Sequence, residues 1–134
     1  MDPAIWEELF MKQKIIVYGR LDGMNELIES NRRNRYRGAE EKRINQMLVV
    51  AAIRRCRICR VKRYPVVIVI KWYERNDRRD PDNIAAAKKF ILDALQQAEI
   101  IRNDGRQEVC EFHDYFYTDR KNPRIEVTLI EQAE

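Results

Sequence analysis

The chain has 134 residues, 45% hydrophobic and 36% charged, which is enough for one core and too few for two full domains. No apolar run approaches the roughly 20 residues of a membrane span, and residues 1–10 carry Asp2, Glu7 and Glu8 where a signal peptide would be basic, so a cytoplasmic protein is expected. The net charge of +4 conceals an asymmetry: residues 29–63 hold twelve Lys or Arg against three Glu, a net +9, leaving −5 for the rest. Such a segment either steers nucleic acid by releasing counterions from phosphates or is a solvated helix face.

In chain order, residues 1–12 are a possible extension, with Trp6 and Phe10 destined for a subunit interface or the core. Lys14–Tyr18 predicts a first strand, followed by a turn between Gly19 and Gly23. Met24–Ile28 predicts a short helix, and Asn31–Gly38, polar and rich in arginine, a loop over the substrate. Glu40 to about Cys59 has helical periodicity, with Ile44, Met47, Leu48, Ala51, Ala52 and Cys59 as the inward stripe and Lys42, Arg43, Arg54 and Arg57 outward. Pro65–Tyr73, almost continuous in β-branched residues, predicts a central strand. A helix from Pro81 to Ala98 follows, with Ile84, Ala87, Ile91, Ala94, Leu95 and Ala98 facing the core. Two strands, Glu108–Tyr117 and Arg124–Ile130, complete a single mixed α/β (α+β) domain of order β-α-β-α-β-β around a mixed sheet.

The most informative stretch is Arg79-Asp80-Pro81-Asp82-Asn83, just beyond the central strand, with a third acid in the turn Asn103-Asp104-Gly105. Two carboxylates about 5 Å apart repel by roughly 3 kcal/mol at an effective dielectric near 20, so a fold that gathers them usually supplies a cation. A hard divalent ion with oxygen ligands suits them, and in a basic protein it points to phosphodiester hydrolysis. Singly, each acid has an ordinary role: Asp80 as an N-cap, Asp82 as a complement to the helix dipole, Asp104 as a turn residue. Lys89 lies seven residues after Asp82, about two helical turns, and so on the same face; it can stabilise a phosphorane, pair with Asp93 four residues on, or do both. A continuous helix over 82–97 would be about 24 Å long, whereas residues 98–104 span at most roughly 23 Å, so Asp104 returns only if the helix is broken or shortened, or comes from a partner subunit.

With Lys89-Phe90-Ile91-Leu92-Asp93-Ala94-Leu95 and Ile100-Ile101-Arg102-Asn103-Asp104-Gly105, this stretch resembles the RusA family of Holliday junction resolvases of bacteria and their phages. The likeness spans roughly residues 14–131 in element order and is diagnostic over 79–105. It implies that Asp80, Asp82 and Asp104 bind Mg²⁺ or Mn²⁺, that Lys89 is the catalytic lysine, and that a homodimer resolves four-way DNA junctions by paired nicks. In that setting Arg32, Arg33, Arg35, Arg37, Lys42, Arg43 and Arg79 would contact DNA phosphates. The chain departs from the family pattern at Ala86, where many members carry the lysine, and at Asn103, where they carry another acid. The rival functions are a non-catalytic junction-binding module and a flap or fork nuclease using the same site. Cys56-x-x-Cys59 with Cys110-x-x-His113 offers a competing zinc set, but residues three apart on a strand face opposite sides; Cys110 reads more simply as a small buried residue and His113 as a polar edge residue.

Overall fold

A computed structural model describes residues 10–132. The elements are β1 (Phe10–Tyr18), α1 (Met24–Arg33), α2 (Arg35–Arg55), β2 (Val66–Glu74), α3 (Pro81–Ala85), α4 (Lys88–Gln97), β3 (Val109–Thr118) and β4 (Arg124–Gln132). The strands form one mixed sheet of order β1-β4-β2-β3, in which β2 and β3 run parallel and the other pairs antiparallel. The fold is mixed α+β, and β2 is interior, as its β-branched run predicted.

Burial alternates strictly along β2: Val66, Ile68, Ile70 and Trp72 are buried while Val67, Val69, Lys71 and Tyr73 are half-buried on the other face. The buried face joins Ile15 and Val17 of β1, Ile125, Val127 and Leu129 of β4, and residues of α2 and α4 in one continuous core. On the opposite face Glu126 is held between Lys14 and Arg124, and Arg124 also lies over the Tyr73 ring, which stacks on Tyr117.

Several expectations change. β1 begins at Phe10, so residues 10–12 are strand, not extension; the rest of the expected extension, with Trp6, lies outside the described residues. Asn31–Gly38 is no loop: α1 runs on to Arg33, and α2 starts one residue after Asn34. Arginine is a good helix former, and Asn34 is both the break and the cap, its side-chain oxygen accepting the Arg37 N–H at 2.7 Å.

The inward face of α2 also differs. Asn45, Val49, Val50, Ala52 and Ile53 are buried, whereas Ile44, Met47, Leu48 and Ala51 are exposed. Asn45 is tolerated inside because its amide donates to Asp22 and the Glu41 carbonyl while its oxygen accepts the Asp22 N–H. The helix expected over 81–98 is interrupted at Ala86–Ala87, leaving a five-residue α3 and a ten-residue α4, though Ile84, Ala87, Ile91, Ala94 and Leu95 face the core as expected.

Candidate functional site

β2 delivers its carboxyl end to the acidic segment, and the segment is braced from both sides. Arg79 donates a bidentate pair of hydrogen bonds to Glu74, the last residue of β2, at 2.7 and 2.8 Å; a third bond reaches the Leu21 carbonyl at 3.2 Å, and Glu26 lies 3.5 Å away. Both side chains of the Arg79–Glu74 pair are about one-tenth exposed. Asn83 accepts the Asn25 N–H at 2.8 Å, tying the segment to the start of α1. Gly23 leaves the room this needs, since a Cβ there would sit 2.6 Å from the Asn83 carbonyl oxygen and 3.0 Å from the Arg79 guanidinium. Arg79, expected on DNA, instead has its donors occupied within the protein.

Between these braces Asp80 and Asp82 are exposed. Asp80 occupies the N-cap position of α3 but its side chain makes no capping hydrogen bond, and neither carboxylate has a hydrogen bond or ion pair among the described residues. Capping therefore does not account for Asp80. Beside them a cleft of about 200 Å³ opens at the carboxyl ends of the parallel strands, between Pro81 and Ile84 on one side and Phe116, Tyr117 and Thr118 on the other.

The break in the helix shortens it and lets the chain that carries the third acid fold back along α4. A ten-residue α4 is about 15 Å long, and Glu99 in the left-handed region (φ 60°) turns the chain back, with the Ile100 N–H donating to the Leu95 carbonyl at 2.9 Å. Arg102 then anchors the 103–105 turn: its guanidinium bonds Glu108 at 2.9 Å and lies over the Tyr64 ring, while its N–H donates to the Tyr64 hydroxyl at 3.1 Å.

Asp104 is thereby placed 3.6 Å from the Lys89 ammonium, which also pairs with Asp93 at 3.1 Å. Lys89 on α4 thus makes the expected pair with Asp93 and, of the three acids, meets Asp104 and neither Asp80 nor Asp82 among the described residues. The hydrogen bond and charge of Asp93, and then the charge of Asp104, raise the Lys89 pKa above its usual value. These contacts favour the cationic form of Lys89. Lys88 points elsewhere, to Asp114 at 2.6 Å and over the Phe112 ring; Asp114 also accepts from the Trp72 indole at 2.8 Å.

The structure thus brings Asp104 to Lys89 and leaves Asp80 and Asp82 unpartnered. Among the described residues no three His, Cys, Asp or Glu side chains are gathered closely enough to hold a metal ion. In donor chemistry Asp80 and Asp82 still suit a hard cation, because their carboxylate oxygens are free and face solvent. That finding covers the zinc set as well: Cys59 and Cys110 are exposed, the Cys110 thiol approaches the Val66 carbonyl at 3.5 Å, and His113 on edge strand β3 pairs with Glu111. Cys110 is therefore not the buried residue expected.

The basic residues fall into two groups. Arg32, Arg35 and Lys42 are exposed with no side-chain partner among the described residues. Arg33 pairs with Glu29 and Arg43 with Glu40, while Arg37 lines a cleft of about 400 Å³ between α1 and α2 that also holds Asp22, Glu26 and Glu41. No helix among the described residues is long and apolar enough to cross a membrane. Sequence reasoning missed the braces Glu74, Gly23, Asn83, Arg102 and Glu108; the Asn of the D-x-D-N pattern was the one visible signal.

No protein-family model and no curated protein matches the chain. A solved structure, PurLQS from Thermotoga maritima, is similar over 67% of this chain and 15% of that one, at 12% identity and a TM-score of 0.34. The chain spans only that small share of the neighbour's length, and a likeness this low carries no argument about fold or function.

Proposed function

We propose that the protein is a Mg²⁺-dependent endodeoxyribonuclease of the RusA type that resolves four-way DNA junctions as a homodimer. The observation that carries the proposal is the pair Asp80 and Asp82: two exposed carboxylates with no partner, on a segment held rigidly by Arg79–Glu74 and Asn83. Their oxygens are free to accept a hard cation, and two acids two residues apart on a braced segment offer it neighbouring oxygen ligands.

Asp80 and Asp82 would hold the ion, with Asp104 the third donor that the family resemblance implies. The bound ion would lower the pKa of water and offset charge on the scissile phosphate. Lys89, paired with Asp93, would contribute electrostatic stabilisation to the phosphorane. Arg32, Arg35 and Lys42 hold donors ready for phosphates. A twofold pair of sites supplies the two symmetric cuts.

The test is cleavage of labelled four-way, flap and linear duplexes with and without Mg²⁺. Junction-selective, Mg²⁺-dependent paired nicking supports the reading. Junction binding without cleavage would instead mark a non-catalytic module, and preference for flaps a different nuclease.

A further inference from the structure

The sheet places a group of free cations at the end opposite the acidic segment. β1 and β2 run the same way, each antiparallel to β4, so both begin at that end. Gln13 of β1 ties down the loop ahead of β2, its amide donating to the Cys59 carbonyl at 2.9 Å and its oxygen accepting the Cys59 N–H at 2.7 Å. Lys12 of β1, Arg60 and Lys62 of the loop, and Arg54 and Arg57 at the close of α2 are exposed, with no side-chain partner among the described residues. Arg55, by contrast, is used in packing: it bonds the Ile16 carbonyl at 2.6 Å and lies over the Tyr18 ring. Arg54 complements the dipole at the end of α2, but Arg60 and Lys62 lie beyond any helix end. The acids nearby leave these cations almost unopposed. Glu131 is buried beneath the Lys62 N–H, and Glu108 and Asp104 hold Arg102 and Lys89. Glu99 is exposed, on a cleft of about 380 Å³ that Arg54 and Arg57 also line.

We propose that this end of the sheet is a second contact for duplex DNA, holding the phosphates of an arm that leaves the cut and runs along the domain. The inference rests on the nuclease reading and extends it to a surface remote from the chemistry. β2 covers about 30 Å in its nine residues, and the Arg79–Glu74 pair fixes the acids at its far end. At a rise of about 3.4 Å per base pair, an arm must run about nine base pairs from the cut to reach the cations. Phosphates fit this surface better than a protein segment does. The loop from Arg57 to Lys62 exposes no large apolar side chain, since Ile58 packs against the core and Val61 is buried, so it offers a peptide no anchor. Free guanidinium and ammonium groups suit a polymer charged along its whole length.

The measurement is binding of a labelled four-way junction by the full chain, read by fluorescence anisotropy in EDTA so that no strand is cut. Arms of about 20 base pairs reach the surface, and hairpin-capped arms of about 6 do not. The test variant combines Arg54→Gln, Arg60→Gln and Lys62→Gln, none of which removes a side-chain contact among the described residues. It should bind the long-armed junction at least tenfold more weakly than the wild type, with a salt slope shallower by about 2–3, and the short-armed junction within twofold of it. Its melting temperature, and its cleavage rate at saturating protein, should match those of the wild type. Unchanged binding of the long-armed junction overturns the proposal, as does an equal loss on short arms, which would mark a general attraction of net charge. Competition by poly-glutamate as strong as that by duplex overturns it too. A wild type that binds with this dependence on arm length but never cuts would count against the nuclease reading and leave the surface standing.

Discussion

Arg79→Met isolates the brace beneath the acidic segment. The substitution keeps most of the aliphatic stem but removes both hydrogen bonds to Glu74, the bond to the Leu21 carbonyl and the contact with Glu26. Glu74 is then left as a nearly buried, uncompensated carboxylate. Breaking a buried pair from one side costs about 3–5 kcal/mol, and because both side chains retain slight exposure the lower end, about 3 kcal/mol, is expected. For a domain of this size that corresponds to a fall in Tm of roughly 10–15 °C. Urea unfolding followed by circular dichroism measures it, and a cycle with Glu74→Gln should return a coupling energy of about 1.5–3 kcal/mol. The reasoning is refuted if Arg79→Met costs less than about 1 kcal/mol, or if the double variant is additive. Weaker DNA binding with a shallower salt dependence at unchanged stability would return Arg79 to the role of a phosphate contact.

Lys89→Met should change stability by less than about 1 kcal/mol, since its ion pairs are largely exposed, while cutting cleavage by at least tenfold; junction cleavage and thermal melting read the two effects. Glu99→Gly should stabilise the protein by about 0.5–1 kcal/mol in urea unfolding, because Glu99 holds φ 60° at the turn after α4. Glu126 gives a pH signature: burial alone would raise its pKa, but the bonds from Lys14 and Arg124 prevail and lower it below the usual 4.5. Its contribution is present in full above the unfolded value and lost as pH falls through the folded one. The wild type should therefore lose stability faster than Glu126→Gln below about pH 5, as unfolding at stepped pH would show.

The strands were legible because their signals are short-range: β-branched runs in β2, alternation in β4, and turn residues between them. α1 and α2 were less so, since a single non-helical residue, Asn34, separates them and an arginine-rich run carries no loop signal beyond its polarity. On α2 the periodicity was real but its phase was not decidable, because both faces are apolar and the inward one includes Asn45, whose partner Asp22 is distant in sequence. The break at Ala86–Ala87 had no glycine or proline to announce it; only the distance Asp104 must return implied it. In the candidate site the acids and Lys89 were visible as spacing, whereas Glu74, Gly23, Arg102 and Glu108 act through tertiary contacts that no local pattern encodes.

The central claim, that the unpaired carboxylates beside β2 serve metal-dependent DNA hydrolysis, meets its most direct test in Asp82→Asn on a labelled four-way junction. With Mg²⁺ present, cleavage should fall by at least a hundredfold while junction binding and thermal stability stay near those of the wild type, since Asp82 has no structural partner to lose. Undiminished cleavage by Asp82→Asn, or no cleavage by the wild type in Mg²⁺ or Mn²⁺, would contradict it.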